Sequence, residues 1–167
     1  TQLAFSSANQ VMVSTDGRTV QAWRTGDPTE VARFTATSGQ GGYFMSFSGN
    51  GRFLAVADQE RFLVQEIGQG GLHTFETPAT TVAFNRDAQA LATVGPTNVH
   101  VWRDFLSPEA RPGHVLPAAG VKAAAFSPDD RYLALLLEDR VELWESWQDP
   151  ARARAKAGTN LRLAPPD

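Results

Sequence analysis

The chain contains three histidines, which are the first candidates for a chemical role because imidazoles can bind metal ions. His73, His100 and His114 are spread over three separate stretches, and the chain contains no cysteine. A metal site needs imidazoles that converge with carboxylates or thiolates. His100 alternates with Val99 and Val101, which is typical of a strand and favours a structural role. We therefore predict no metal site, no disulfide and no thiolate nucleophile.

Paired carboxylates are the second candidate, because two of them can act as the acid and base of a hydrolase. The acidic residues cluster at three places: Asp58 with Glu60, Asp129 with Asp130, and Glu138 with Asp139. Each pair falls in a predicted tight turn, where a carboxylate commonly accepts backbone hydrogen bonds. No G-x-S-x-G motif and no phosphate-binding loop accompany them. The sequence thus indicates no catalytic residue and no cofactor.

Basic residues offer a third possibility, phosphate or nucleic-acid binding. Arg152, Arg154 and Lys156 alternate with alanine, so a strand at 150–157, which we favour over a helix, would place three cations on one face. Such a face could bind phosphate or an acidic partner, but a solvated edge that discourages aggregation is the favoured interpretation. The net charge is only −3, and no apolar run approaches the ~18 residues of a membrane helix. We expect neither a nucleic-acid nor a membrane partner.

The elements that would position these residues follow from a repeat. An aromatic landmark pair recurs with a spacing of 18 positions in Phe5–Trp23, Phe47–Gln65, Phe84–Trp102 and Phe126–Trp144, with glutamine replacing tryptophan in the second copy. Alternating apolar runs separated by Gly, Pro, Asp and Asn surround each pair. The pattern predicts four strands in each of four units at about 1–38, 39–78, 79–118 and 119–157. Residues 158–167 begin a further unit or supply a closing strand.

The fourth unit carries the clearest family signature. Its landmarks are Phe126, Ser127, Pro128, Asp129, Leu133, Ala134, Asp139, Val141, Leu143 and Trp144, and the third unit repeats them more weakly in Phe84, Asp87, Leu91, Ala92, Val99, Val101 and Trp102. This series resembles the WD40 repeat. The resemblance implies an all-β protein made of four four-stranded antiparallel blades of a β-propeller. The usual Gly-His pair is matched only by Gly113-His114, so we expect apolar packing to stabilise the blades.

Four blades are fewer than the seven or eight typical of WD40 rings. Three arrangements remain open: part of a larger ring, a half-ring completed by a second copy or another chain, and a closed four-bladed ring. The larger ring is the favoured arrangement.

By the same resemblance, the loops between strands two and three and those between blades share one face that commonly binds a partner. The residues expected there are Arg18, Tyr43, Asp58, Glu60, Arg61, Asn98, Asp139 and Arg140. Mixed charge with an aromatic residue suits a protein or peptide partner. We therefore expect a non-enzymatic interaction or sensing scaffold in a cytoplasmic, multidomain protein, with bacterial signalling or defence as one setting. The alternative is a propeller enzyme, such as a hydrolase with its site at the central channel.

Overall fold

The computed structural model describes residues 2–6, 11–16, 19–26, 30–35, 44–57, 60–107, 109–117, 119–145, 147–149, 152–155 and 161–162. Within these ranges all the regular structure is β-strand, in four antiparallel sheets. Each sheet is built from strands that follow one another in the chain, and consecutive strands pair as antiparallel hairpins except at the end of the fourth sheet. The prediction of an all-β protein with four four-stranded blades is confirmed.

The first two sheets have the strand orders β1-β2-β3-β4 and β5-β6-β7-β8. Their strands are β1 Gln2–Ser6, β2 Val11–Thr15, β3 Thr19–Arg24, β4 Glu30–Thr35, β5 Phe44–Phe47, β6 Phe53–Ala57, β7 Phe62–Glu66 and β8 Leu72–Phe75.

The third sheet has the order β9-β10-β11-β12, and the fourth begins β13-β14-β15. Two short strands, β16 and β17, both pair with β15 at the edge of the fourth sheet. The strands are β9 Thr81–Phe84, β10 Ala90–Val94, β11 Asn98–Arg103, β12 Pro112–Pro117, β13 Ala123–Phe126, β14 Tyr132–Leu136, β15 Arg140–Glu145, β16 Arg154–Ala155 and β17 Leu161–Arg162.

The turn between the first and second strands of a blade repeats in three blades. A side-chain oxygen of the first turn residue accepts a hydrogen bond from the backbone N–H five residues later; the pairs are Ser48 with Phe53 at 2.9 Å, Asn85 with Ala90 at 2.8 Å and Ser127 with Tyr132 at 2.9 Å. The fourth turn residue has a positive φ in each case: 68° at Gly51, 56° at Ala88 and 56° at Asp130. A residue in the left-handed conformation is a common feature of short hairpin loops.

Three hydrophobic clusters join the sheets in chain order. Val13 and Val20 of the first blade pack with Leu54 of the second, and Phe53 and Phe62 of the second pack with the third blade. The third cluster joins the third and fourth blades. Among the described residues no cluster joins the fourth blade to the first, and the four sheets do not close into a ring.

The landmark aromatics of the second, third and fourth blades lie in these clusters or pack against them. Trp102 is buried between the second and third blades, where its ring contacts Phe62 and Phe75 edge-on at centroid distances of 5.0 and 5.2 Å. Its indole N–H donates to the hydroxyl of Thr93 at 2.9 Å, so its one polar atom has a partner. Gln65, which replaces tryptophan in the second blade, donates instead to the carbonyl oxygens of Glu66 and Gly71. The replacement therefore leaves no unpaired amide N–H₂.

The face of the fourth blade that points away from the third is only partly covered. Five apolar positions of the third blade are at most 3% exposed: Ala90, Ala92, Val94, Val99 and Val101. Their repeat equivalents in the fourth blade are all half-buried: Tyr132, Ala134, Leu136, Val141 and Leu143. On the first blade, Phe5 is 62% exposed. The two terminal blades thus present apolar side chains to solvent.

Candidate functional site

The loops between strands two and three of each blade lie at one end of the sheets, which we call the upper face. Because the strands alternate in direction, the loops that lead from one blade to the next lie at this end too. Hydrogen bonds fix the inter-blade loops: the hydroxyl of Thr81 donates to the carbonyl oxygen of Lys122 at 3.2 Å, and that of Thr80 donates to the carbonyl oxygen of Val94. In the described part of the chain, these bonds tie the loop before the third blade to the third and fourth blades.

The predicted partner-binding residues that the structure describes all lie at this upper end. Glu60 and Arg61 belong to the β6–β7 loop, Asn98 begins β11, and Asp139 and Arg140 lie where β14 turns into β15. The remaining three predicted residues, Arg18, Tyr43 and Asp58, lie outside the described residues. The structure thus collects five predicted residues on one face.

Charges of both signs alternate across the upper face. Arg61 lies 3.8 Å from Glu76 of the following inter-blade loop, and Lys122 lies 4.0 Å from Glu138. Most of these side chains are well exposed, and exposed ion pairs contribute at most about 1 kcal/mol to stability. Each of these side chains can therefore give up its present ion pair and form one with a charged group of a binding partner.

Arg140 forms two ion pairs on this face. Its guanidinium donates to the carboxylates of Asp139 and Glu142, each at 3.0 Å. The hydrogen bond to Glu142 is the main cause that raises the pKa of Arg140, and the one to Asp139 adds to it. Glu142 also accepts a hydrogen bond from the indole N–H of Trp144 at 3.3 Å, so the surface charge is linked to the aromatic landmark beneath it.

The three histidines do not converge. His73 lies in β8, His100 in β11 and His114 in β12, on two different blades. Burial lowers the pKa of His100 and of His114, and for His114 the charge of Asp149 acts in the opposite direction. Nδ1 of His100 and Nε2 of His114 are buried without a hydrogen-bond partner. In the described part of the chain no three His, Asp or Glu side chains are placed to hold a metal ion.

A second concave site lies at the opposite end of the sheets, between the third and fourth blades, and we call it the lower-face pocket. Its volume is about 930 Å³. Its lining residues come almost entirely from loops: Asn85, Asp87, Ala88, Gln89, Ala90, Arg103, Asp104, Phe105, Leu106, Ser107, Asp130, Trp147 and Gln148. Phe105 and Trp147 are nearly fully buried and form its apolar floor.

Asp130 holds the two blades together at this pocket. Its carboxylate accepts hydrogen bonds from the side-chain amide of Asn85 at 3.2 Å and from the backbone N–H of Arg86 at 3.3 Å. Its carbonyl oxygen accepts from the indole of Trp147 at 3.0 Å and from the amide of Gln148 at 2.8 Å. The pocket wall is therefore positioned by four hydrogen bonds to one residue.

The sequence interpretation missed this pocket, although a signal was present. Phe105 and Trp147 each follow the tryptophan landmark of their unit by three positions. In the structure both rings cover the landmark phenylalanine of their own blade, with Trp147 edge-on to Phe126 at 4.7 Å and Phe105 tilted against Phe84 at 5.8 Å. A large aromatic residue shortly after the third strand therefore marks a loop that folds back over the blade.

Comparisons with known proteins show the fold class. No protein-family model matches the chain, and no curated protein sequence matches it. Among solved structures, a protein of unknown function from Desulfotomaculum acetoxidans DSM 771 superposes with a TM-score of 0.71 at 12% identity, over 92% of this chain and 54% of that one.

Two further structures match at similar levels. A chain of the mitotic checkpoint complex gives a TM-score of 0.68 at 17% identity, over 87% of this chain and 48% of that one. A chain of Kuenenia stuttgartiensis hydrazine synthase gives 0.66 at 11% identity, over 92% and 48%. The chain therefore spans about half the length of the structures it matches.

Together, the four hairpin-built sheets and these matches define the chain as an all-β, propeller-like repeat protein. The described residues include no helix that is long and apolar enough to cross a membrane.

Proposed function

We propose that this chain is a WD40-like propeller segment that binds a protein or peptide partner through its upper face, without catalysis of its own. The observation that supports this most directly is the upper face itself, where Asn98 and four charged residues of both signs lie at the same end of a β scaffold. Proteins use such loops for recognition because the scaffold limits the entropy lost on binding.

The setting proposed for this role is a cytoplasmic, bacterial, multidomain protein. The comparisons include an assembly, the mitotic checkpoint complex, and an enzyme, hydrazine synthase, so a propeller-like fold occurs in both classes of protein. Function must therefore be argued from the site and not from the fold. Mixed charge in exposed ion pairs favours a protein surface as the ligand, since each charge can exchange its present partner for one across an interface.

Affinity capture from an extract of the source organism tests the upper face. The purified protein is compared with the variant Glu60→Ala/Asp139→Ala/Arg140→Ala. A matched control is Arg52→Ala/Glu66→Ala, which removes an ion pair of 2.7 Å from the other end of the second blade. We expect the protein and the control to retain a partner that the upper-face variant loses.

Two results would contradict the proposal. One is a partner that the upper-face variant retains as well as the unaltered protein does. The other is turnover of a glycan or an ester by the purified protein, which would favour a propeller enzyme with its site at the central channel.

We also propose that further blades complete the ring, either from the rest of a longer chain or from a second copy. The half-buried positions of the fourth blade support this, because their equivalents in the third blade are covered by the next blade. An added blade would bury Leu136, Val141 and Leu143 fully, and each large apolar side chain stabilises by roughly 1.5 to 3 kcal/mol when it goes from exposed to buried.

A further inference from the structure

The lower-face pocket carries more negative charge than the fold requires. Three of its lining residues are aspartates: Asp87 in the β9–β10 turn, Asp104 directly after β11, and Asp130 in the β13–β14 turn. Among the described lining residues, Arg103 alone carries a basic group. The pocket is thus an acidic cleft above the aromatic floor of Phe105 and Trp147.

The repeat provides an internal comparison for these aspartates. Aligned on the landmark phenylalanines, the equivalent positions one blade earlier are Asn50 for Asp87, Ile67 for Asp104 and Ala88 for Asp130. None of the three is acidic, although the second and third blades pack against each other in the same manner. The propeller-like fold therefore does not demand carboxylates at these places.

Two of the three carboxylates form no hydrogen bond or ion pair with the described part of the chain. Asp130 accepts hydrogen bonds from Asn85 and Arg86, as described above. Asp87 and Asp104 are exposed, and among the described residues their carboxylates make neither a hydrogen bond nor an ion pair. Their backbone carbonyls are the groups that hold the loops: that of Asp104 accepts from the N–H of Ser107 at 2.8 Å. Both side chains are therefore available to a ligand.

The apolar surface left open at the edge of the aromatic floor, that of Leu106, adds a requirement on the shape of the ligand. Phe105 and Trp147 are held in place by ring contacts within their blades, and Leu106 lies half-buried at the edge. An arginine or lysine side chain combines an apolar stem with a terminal cation, so its stem can lie along apolar surface while its charge reaches a carboxylate. A small inorganic cation would leave this apolar surface unused.

We propose that the lower-face pocket binds a basic side chain, arginine or lysine, presented by an extended segment of a protein partner. Asp87 and Asp104 bind the cation, and the half-buried Leu106 packs against its aliphatic stem. Arg103 at the rim donates to the carbonyl oxygens that flank the basic residue in the partner's backbone. This site is separate from the upper face, so the molecule has two recognition surfaces at opposite ends of its blades.

A peptide titration of the purified protein tests the proposal. The probe is the end-blocked pentapeptide Ala-Ala-Arg-Ala-Ala, compared with the same peptide carrying citrulline, which has the shape of arginine without its charge. Binding is followed by NMR at the indole N–H of Trp147, which lies in the pocket and donates to the Asp130 carbonyl. We expect a saturable shift with the arginine peptide that weakens as salt is raised.

The variant Asp87→Asn/Asp104→Asn removes both available charges with little change of shape. Asp104 has a φ of 49°, and asparagine tolerates this left-handed conformation well, so the loop is expected to fold unchanged. Affinity for the arginine peptide should fall about tenfold, which corresponds to about 1.4 kcal/mol. Glu138→Gln, at an exposed position of the upper face, is the matched control and should bind the peptide as the unaltered protein does.

Three outcomes would overturn the proposal: no shift at Trp147, an equal response to the citrulline peptide, or unchanged affinity in Asp87→Asn/Asp104→Asn. A lysine peptide that binds as well as the arginine peptide supports it. Loss of the captured partner in the upper-face variant has no bearing on this titration, so the two proposals fail independently.

Discussion

At the scale of single residues, the structure depends on a few close approaches between neighbouring blades. A Cβ built on Gly49 would lie 3.0 Å from the carbonyl oxygen of Arg86 in the next blade, which is a backbone atom and cannot move alone. A Cβ on Gly113 would meet only the carbonyl oxygen of Val101, at 3.8 Å. The two glycines therefore form a matched pair for substitution.

We expect Gly49→Ala to lower the free energy of unfolding by about 1 to 3 kcal/mol, as overpacking commonly does. Gly113→Ala should leave it unchanged or raise it by about 0.4 to 1 kcal/mol, because alanine restricts the unfolded chain. Urea denaturation of both variants provides the measurement. Equal stability of the two variants would mean that the turns of the second and third blades are not in contact.

The half-buried histidines predict a dependence of stability on pH. Burial lowers the pKa of His100 and of His114, so both are more readily protonated in the unfolded chain than in the folded one. Their contribution to stability is fully present above the unfolded pKa of about 6.5 and is lost as the pH falls through the lower folded values. Melting temperatures should therefore fall between about pH 7 and about pH 5.

The variant His100→Gln/His114→Gln isolates this effect. It should show a smaller fall in melting temperature over the same pH range, whatever its stability at neutral pH. Asp129 does not interfere with this test: hydrogen bonds lower its pKa, so its contribution to stability is lost only at more acidic pH, as the pH falls through its folded pKa. A variant with the same pH profile as the unaltered protein would show that neither imidazole is more readily protonated in the unfolded chain.

At the scale of the elements, the first turn of the second, third and fourth blades both closes its hairpin and contacts a neighbouring blade. The side chain of Asn85 accepts from the N–H of Ala90 and donates to Asp130 of the fourth blade. Serine occupies this position as Ser48 and Ser127 in the second and fourth blades and makes the hairpin contact alone. Asparagine in the third blade therefore adds an inter-blade bond.

Substitution of Asn85 separates the two contributions. Asn85→Ala leaves a buried backbone N–H without its partner and should cost about 1 to 3 kcal/mol. Asn85→Ser should restore most of this loss, since it retains the hairpin contact and loses only the bond to Asp130. Thermal unfolding of both variants gives the measurement, and a serine variant as unstable as the alanine variant would contradict the repeat equivalence.

The strands could be predicted from sequence, whereas the contacts between blades could not. Alternation and turn residues place β9, β10 and β11 because these signals are local. The bonds that connect Asn85 and Arg86 to Asp130 join residues far apart in the chain, and no periodicity reports them. The upper-face residues could be named from the family resemblance, because each belongs to a loop that the repeat pattern marks. The lower-face pocket could not be predicted, because it is built from several loops of two blades.

At the scale of the whole molecule, the first and fourth blades each leave apolar side chains exposed or only half-buried. Phe5 on the first blade is 62% exposed, and Leu136 and Leu143 on the fourth are half-buried where the repeat equivalents are fully covered. Repeat proteins need terminal units with polar outer faces for solubility. Neither terminal blade of this chain meets that requirement, so we infer that further blades cover them.

The mass in solution of the purified 167-residue chain, measured by light scattering, tests this central claim most directly. The chain has a mass of 18.1 kDa. We expect it to associate, with a mass of at least twice this value, and we expect Leu136→Glu/Leu143→Glu to reduce the association by placing charge on the outer face of the fourth blade. A stable, monodisperse monomer of 18.1 kDa would contradict the account, because it would show that the terminal faces need no cover.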